Sequence, residues 1–99
     1  MNTQEQIAEV KGIVRDYFYE NKMYTNIDEM CHDYNEHVIN TGTSILCTKW
    51  GIGSPGGSFV QSVIDNNLTM AIGNADTINI KALKFYCHLI YNNSMPEFN

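Results

Sequence analysis

The sequence predicts an all-α fold, a single small domain over residues 1–99 built from four or five helices. Apolar residues recur at spacings of three and four along most of the chain, which places them on one face of a helix. Cap-forming Thr, Asn and Asp residues and helix-ending glycines divide these stretches into units of ordinary helix length. With 43% hydrophobic and only 17% charged residues, the composition is that of a folded chain. Residues 44–50 alone leave room for a short strand or an irregular segment.

The first helix is expected over residues 4–21. Thr3 can cap it, and Gln6 supplies the reciprocal partner of a capping box. Ile7, Val10, Ile13, Val14, Tyr17 and Phe18 form its apolar stripe. Gly12 falls among them at a cost of about 1 kcal/mol relative to alanine, which a close helix–helix crossing would explain. A second helix is expected over 27–40, capped by Thr25 or Asn26 and ended near Gly42. Ile27, Met30, Cys31, Tyr34 and Val38 form its buried stripe, and Asp28 and Glu29 complement the dipole at its start. Ile45-Leu46-Cys47 fits either a strand or one helical turn, because periodicity cannot separate the two at this length.

Phe59, Val60, Val63 and Ile64 begin a third helix, which Asp65-Asn66-Asn67 should break. Residues 68–72 read as a further short helix stopped by Gly73. Asp76 or Thr77 caps the last helix, over 78–91, with Ala82, Phe85 and Leu89 facing inward and Ile78 and Tyr86 at the edge of that face. Residues 92–99, carrying Pro96, form a polar tail.

The net charge of −5 argues against non-specific nucleic-acid or anionic-membrane binding, both of which need a basic face. No apolar run is long enough to span a bilayer, and no secretory leader pattern opens the chain. The three cysteines, Cys31, Cys47 and Cys87, have no CxxC spacing, so reduced thiols in a cytoplasm are the expectation. A domain of this size buries only about 60–65% of its chain surface, so association of copies would help it.

Four of the seven glycines lie within residues 51–57, directly ahead of an amphipathic segment. Such a loop can point backbone amides and the positive end of a helix dipole at an anion. Gly53, Ser54, Gly56, Gly57 and Ser58 are therefore candidate binding residues, with Lys49 supplying a cation and Trp50 a stacking surface. The loop lacks the terminal Gly-Lys-Ser/Thr of a P-loop, so it supports no NTPase assignment. The competing account is structural: glycines that let the backbone pass, and a Trp50 ring that plugs the core.

Cysteine and histidine adjoin at Cys31-His32 and at Cys87-His88, and His37 follows His32 by five residues. Adjacent helical residues point about 100° apart, so neither pair chelates one ion easily, and no metal site is expected. No cofactor and no catalytic set is expected either, since no orienting third group accompanies a Cys–His couple. Of the six tyrosines, Tyr17 and Tyr19 are the candidates for a partner surface, because Tyr17-Phe18-Tyr19 surrounds the first helix with rings. Rings lying flat over the domain edge are the alternative.

The second half of the chain resembles a family of small proteins encoded by bacteriophages and prophages. Their shared pattern is P-G-x-F-[VL]-x-A-[VL]-x-N-D-L, a short helix, then A-D-x-x-N-x-x-A-L. Here it reads Gly57-Ser58-Phe59-Val60, Val63-Ile64, Asn66-Asn67-Leu68, Ala71, Ala75-Asp76, Asn79 and Ala82-Leu83. The match spans about residues 55–92. A second glycine follows Pro55-Gly56, Ser62 replaces the usual alanine, and Asn67 stands where aspartate is common. The resemblance implies a phage origin and a compact helical module, and it supplies no catalytic residues.

Together these observations lead to the expectation of a non-enzymatic, phage-encoded binding protein that antagonises host immunity. Its partner would be a host defence protein, blocked as an anti-CRISPR would block it, or a nucleotide second messenger held by sequestration. A small hydrolase of a nucleotide messenger using His32 or His88, or a structural component of the virion, is the rival reading.

Overall fold

The computed structural model describes residues 1–25 and 32–98. Six α-helices lie within them: α1 (Thr3–Glu20), α2 (His32–Trp50), α3 (Ser58–Ile64), α4 (Leu68–Asn74), α5 (Thr77–Lys81) and α6 (Leu83–Asn92). A 3-10 turn, Lys22–Tyr24, follows α1, and no strand occurs among the described residues. The all-α class is therefore as the sequence predicts.

The cap of α1 is displaced by one residue from expectation. Asn2, not Thr3, accepts from the Glu5 N–H at 2.9 Å, and the Glu5 carboxylate accepts from the Asn2 N–H at 3.4 Å. The Asn carboxamide oxygen reaches the third amide as a Thr hydroxyl would, and it completes the same reciprocal box. Val10, Val14 and Phe18 carry the buried stripe of α1.

The largest departure concerns α2. Gly42 does not end a helix, and residues 43–50 are neither strand nor irregular; α2 continues unbroken to Trp50. Thr43 returns its hydroxyl to the Ile39 carbonyl at 2.8 Å, and Ile45 and Leu46 are fully buried. Gly42 is retained inside the helix by packing. A Cβ built there would lie 2.9 Å from Val14 Cγ1 and 3.0 Å from Leu89 Cδ2. It is thus the close crossing of α1, α2 and α6, the role expected of Gly12, whose Cβ position faces open space. The expected start of this helix, with Asn26, Ile27, Asp28, Glu29, Met30 and Cys31, lies outside the described residues. Tyr34, expected in the core, is 42% exposed.

The true end of α2 is the start of the glycine turn. Gly51 at φ +72° follows the last helical residue, its N–H bonding to the Thr48 carbonyl, while the Ile52 N–H bonds to that of Cys47 at 2.8 Å. This is the Schellman arrangement, in which a left-handed glycine satisfies the last carbonyls and folds the next apolar side chain back on the helix. Ile52 is buried accordingly. α3 ends in the same way: Asn66 takes φ 57°, its N–H meets the Val63 carbonyl and the Asn67 N–H meets that of Ser62. Asn67 then caps α4 by accepting from the Met70 N–H.

The core is one cluster. Phe18 meets Phe85 edge-on at 5.4 Å, and Phe85 also contacts the Tyr17 and Tyr86 rings. Full burial of each such ring stabilises by about 2–3 kcal/mol. α1 and α2 run antiparallel: Ile7 lies against the turn at Gly53, whereas Arg15 reaches Glu36 at 3.8 Å. The expected last helix is interrupted at Ala82 (φ −102°, ψ 4°), whose N–H is shared between the Ile78 and Asn79 carbonyls. Beyond α6 the segment is not wholly a polar tail, because Phe98 packs back against the core. No described helix is long and apolar enough to cross a membrane.

Candidate functional site

The continuity of α2 through Gly42 creates one wall of a groove with several polar side chains. His37, Asn40, Thr41 and Ser44 recur at spacings of three and four, so they share one face of α2. Opposite them stand Gly57, Ser58 and Phe59 at the start of α3 and Asn79 on α5, enclosing about 440 Å³. That volume lies within the range of small-ligand sites, about 300–1,000 Å³.

Asp76 organises one end. Its Oδ1 accepts from the Asn79 N–H at 2.7 Å and caps α5. Its Oδ2 lies 3.2 Å from His37 Nε2, without the alignment of a hydrogen bond. Asn79 is buried, and its carboxamide oxygen accepts from the Tyr86 hydroxyl at 2.7 Å. Burial pushes the Tyr86 phenol far above its ordinary range; the Thr41 side chain works against that shift and the nearby Asp76 charge adds to it. Tyr86 is accordingly a fixed donor. Because it occupies the Asn79 oxygen, the amide nitrogen is the Asn79 group left for a ligand.

The groove therefore offers imidazole, amide and hydroxyl groups in a shallow, half-apolar cleft. Ser44, Ser58 and His37 line it, and Asp76 stands beside His37. No hydrogen bond joins either serine hydroxyl to the imidazole; the Ser58 carbonyl accepts from the Ser62 hydroxyl at 2.7 Å. A nucleophile paired with its base is thus not assembled.

The residues singled out from sequence are dispersed. Gly57 and Ser58 line this groove. Gly56 stands behind it, donating to Thr48 Oγ1 at 2.9 Å, with the Ser44 hydroxyl only 2.6 Å from where a Cβ would be. Gly53 takes φ +70° and faces Ile7, and Ser54 borders a separate cleft against α1. Lys49 opens on a third depression with Tyr91, between α3 and α6. Trp50 is half-buried against the core, between the plug and the free stacking surface.

Tyr17 is also half-buried; it stacks obliquely on Phe85 and its hydroxyl bonds to the His88 carbonyl and the Asn92 amide. Tyr19 is 50% exposed, with the Lys22 ammonium 5.2 Å above its ring. His88 is covered by Tyr24, whose ring stacks on it at 3.9 Å. Cys47 is buried and Cys87 exposed, and partial burial raises both thiols above their ordinary range. The Cys31 and His32 side chains lie outside the described residues. Among those described, no three His, Cys, Asp or Glu side chains group as metal ligands.

None of His37, Asn40, Thr41, Ser44 and Asn79 was a candidate binding residue from sequence; His37 was weighed only as a metal ligand and Asn79 only as part of the phage-like pattern. The signal for the first four was a helical polar stripe, hidden once the helix was taken to stop at Gly42. The residues that carry the phage-like pattern have structural roles here. Ser62, in the alanine position, returns its hydroxyl to the Ser58 carbonyl, Asn67 caps α4, Asp76 caps α5, and Phe59 meets Tyr86 edge-on at 5.8 Å. Compared with models of protein families, with curated proteins and with solved structures, the chain matches none.

Proposed function

We propose that this chain is a non-enzymatic binding protein of phage origin that antagonises host immunity by sequestering a nucleotide signal in the α2–α3–α5 groove. The observation that carries this reading is the hydrogen-bonding stripe His37–Asn40–Thr41–Ser44 facing Ser58 and Asn79 across about 440 Å³. Amides suit the edges of a base, and hydroxyls suit ribose and phosphate oxygens. The resemblance of residues 55–92 to phage proteins supplies the biological setting. Association of copies through the exposed Tyr19 face belongs to the same proposal.

Mixing the protein with cyclic nucleotides and following the ligand by calorimetry tests it directly. Stoichiometric uptake, lost in Asn40→Ala with Ser44→Ala and reversed intact by heat, is the expected result. No saturable uptake of any nucleotide would overturn the reading. Two observations favour rivals. The 3.2 Å approach of His37 to Asp76 beside two serines favours a hydrolase, for which the nucleotide would return cleaved and His37→Ala would stop cleavage. The outward Leu68 and Ile72 of α4 favour blockade of a defence protein, for which pull-down from host lysate would capture one effector whose activity the protein inhibits.

A further inference from the structure

A second cleft, of about 360 Å³, lies between α1 and α2 beside the glycine turn. Its apolar wall is Ile7, Cys47 and Ile52, and its polar rim carries Lys11, Ser44 and Ser54. The Schellman turn makes this cleft, since it folds Ile52 back beside Cys47 and the left-handed Gly53 then brings Ser54 to the rim. Lys11 is half-buried. Arg15, one turn further along α1, has Glu36 as its partner, whereas no carboxylate among the described residues lies within ion-pair distance of Lys11. An ammonium drawn partly out of water without a counter-ion favours an anion beside it.

We infer that this cleft binds a small amphiphilic carboxylate, such as a medium-chain fatty acid. Its hydrocarbon body lies on Ile7, Cys47 and Ile52; its carboxylate meets the Lys11 ammonium, with the Ser44 and Ser54 hydroxyls as donors. One cation with two hydroxyls matches a singly charged head group better than a phosphate dianion, because the neighbouring Arg15 is already engaged. This site is independent of the nucleotide reading, although Asn40 and Ser44 border both cavities.

Titration of the full chain with octanoate, octylammonium and octanol, followed by calorimetry and isoleucine-methyl NMR, tests the inference. Octanoate should bind once per chain and shift the Ile7 and Ile52 methyls, with octanol at least tenfold weaker and octylammonium absent. Lys11→Met keeps the stem and removes the charge; it should weaken octanoate at least tenfold at an unchanged melting temperature, while Lys11→Arg retains binding. Equal affinity for octylammonium, indifference to Lys11→Met, or no saturable binding of octanoate below its aggregation limit would each overturn the assignment. The nucleotide titration is unaffected by any of these outcomes.

Discussion

The Tyr86 hydroxyl donates to the Asn79 carboxamide oxygen at 2.7 Å; Tyr86 is fully buried, and Asn79 keeps only a small exposed edge at the groove. That one bond ties α6 to α5 beneath the groove and decides which Asn79 atom faces outward.

Tyr86→Phe strands the buried oxygen, so a loss of about 1–3 kcal/mol is expected. The mutation also has a pH signature. The phenol pKa is raised in the folded protein by burial, so the stability linked to it is complete below the unfolded value of about 10 and is lost as pH rises through the folded value. Wild-type melting temperature should therefore fall steeply above about pH 10, and Tyr86→Phe should fall less. Circular-dichroism melts at pH 7.5 and 10.5 check this; equal slopes in the two proteins would sink it.

Two glycines in neighbouring helices should respond in opposite directions to alanine. Gly12→Ala meets nothing within 4 Å and should stabilise by about 0.5–1 kcal/mol. Gly42→Ala gains the same helix propensity but drives a methyl against the stiff Val14 side chain at 2.9 Å. Overpacking costs about 1–3 kcal/mol, so a net loss is expected. Urea midpoints of the two variants decide the matter, and a stabilised Gly42→Ala would contradict the close crossing.

The turn glycines divide by the same test. Gly56→Ala should destabilise, since its Cβ position lies 2.6 Å from Ser44 Oγ and 2.8 Å from Val60. Gly57→Ala has open space and an extended φ of −77°, so it should leave the melting temperature within a few degrees of wild type. Any loss of ligand uptake in Gly57→Val then reports on the groove and not on folding. Trp50→Ala removes a half-buried ring and should cost roughly 2 kcal/mol, about half the value for a fully buried one.

Association through the Tyr19 face predicts a light-scattering mass at a multiple of 11.3 kDa. Tyr19→Ser should shift the mass toward a single chain without lowering helix content. A constant mass near 11.3 kDa for wild type across a wide concentration range would rule the association out.

The long helices were legible because they bury stripes with an unambiguous period, as Val10, Val14 and Phe18 or Ala82, Phe85 and Leu89 show. The ends and interiors were less so, because glycine has two opposite uses. Gly51 stops a helix by adopting a left-handed φ, whereas Gly42 sits within one because two neighbouring helices come too close for a methyl. Sequence spacing carries no record of which neighbours arrive. Misreading Gly42 as a stop cut the polar face of α2 in two and hid the groove. The glycine turn drew attention for its composition, yet three of its four glycines are set by conformation or packing, and only Gly57 is open toward a ligand.

Of α4, only Ala71 is buried in the core, while Leu68 is 63% exposed. A single buried methyl group contributes little to holding a seven-residue helix, so α4 is expected to open at a smaller free energy than α2. Its amide protons should exchange with solvent through brief local openings on a timescale far shorter than global unfolding. Those of α2 around Ile45 and Leu46 exchange only when the whole domain comes apart. If α4 exchanges in this way, a macromolecule that grips it must first still that motion, giving up part of its contact energy as lost entropy.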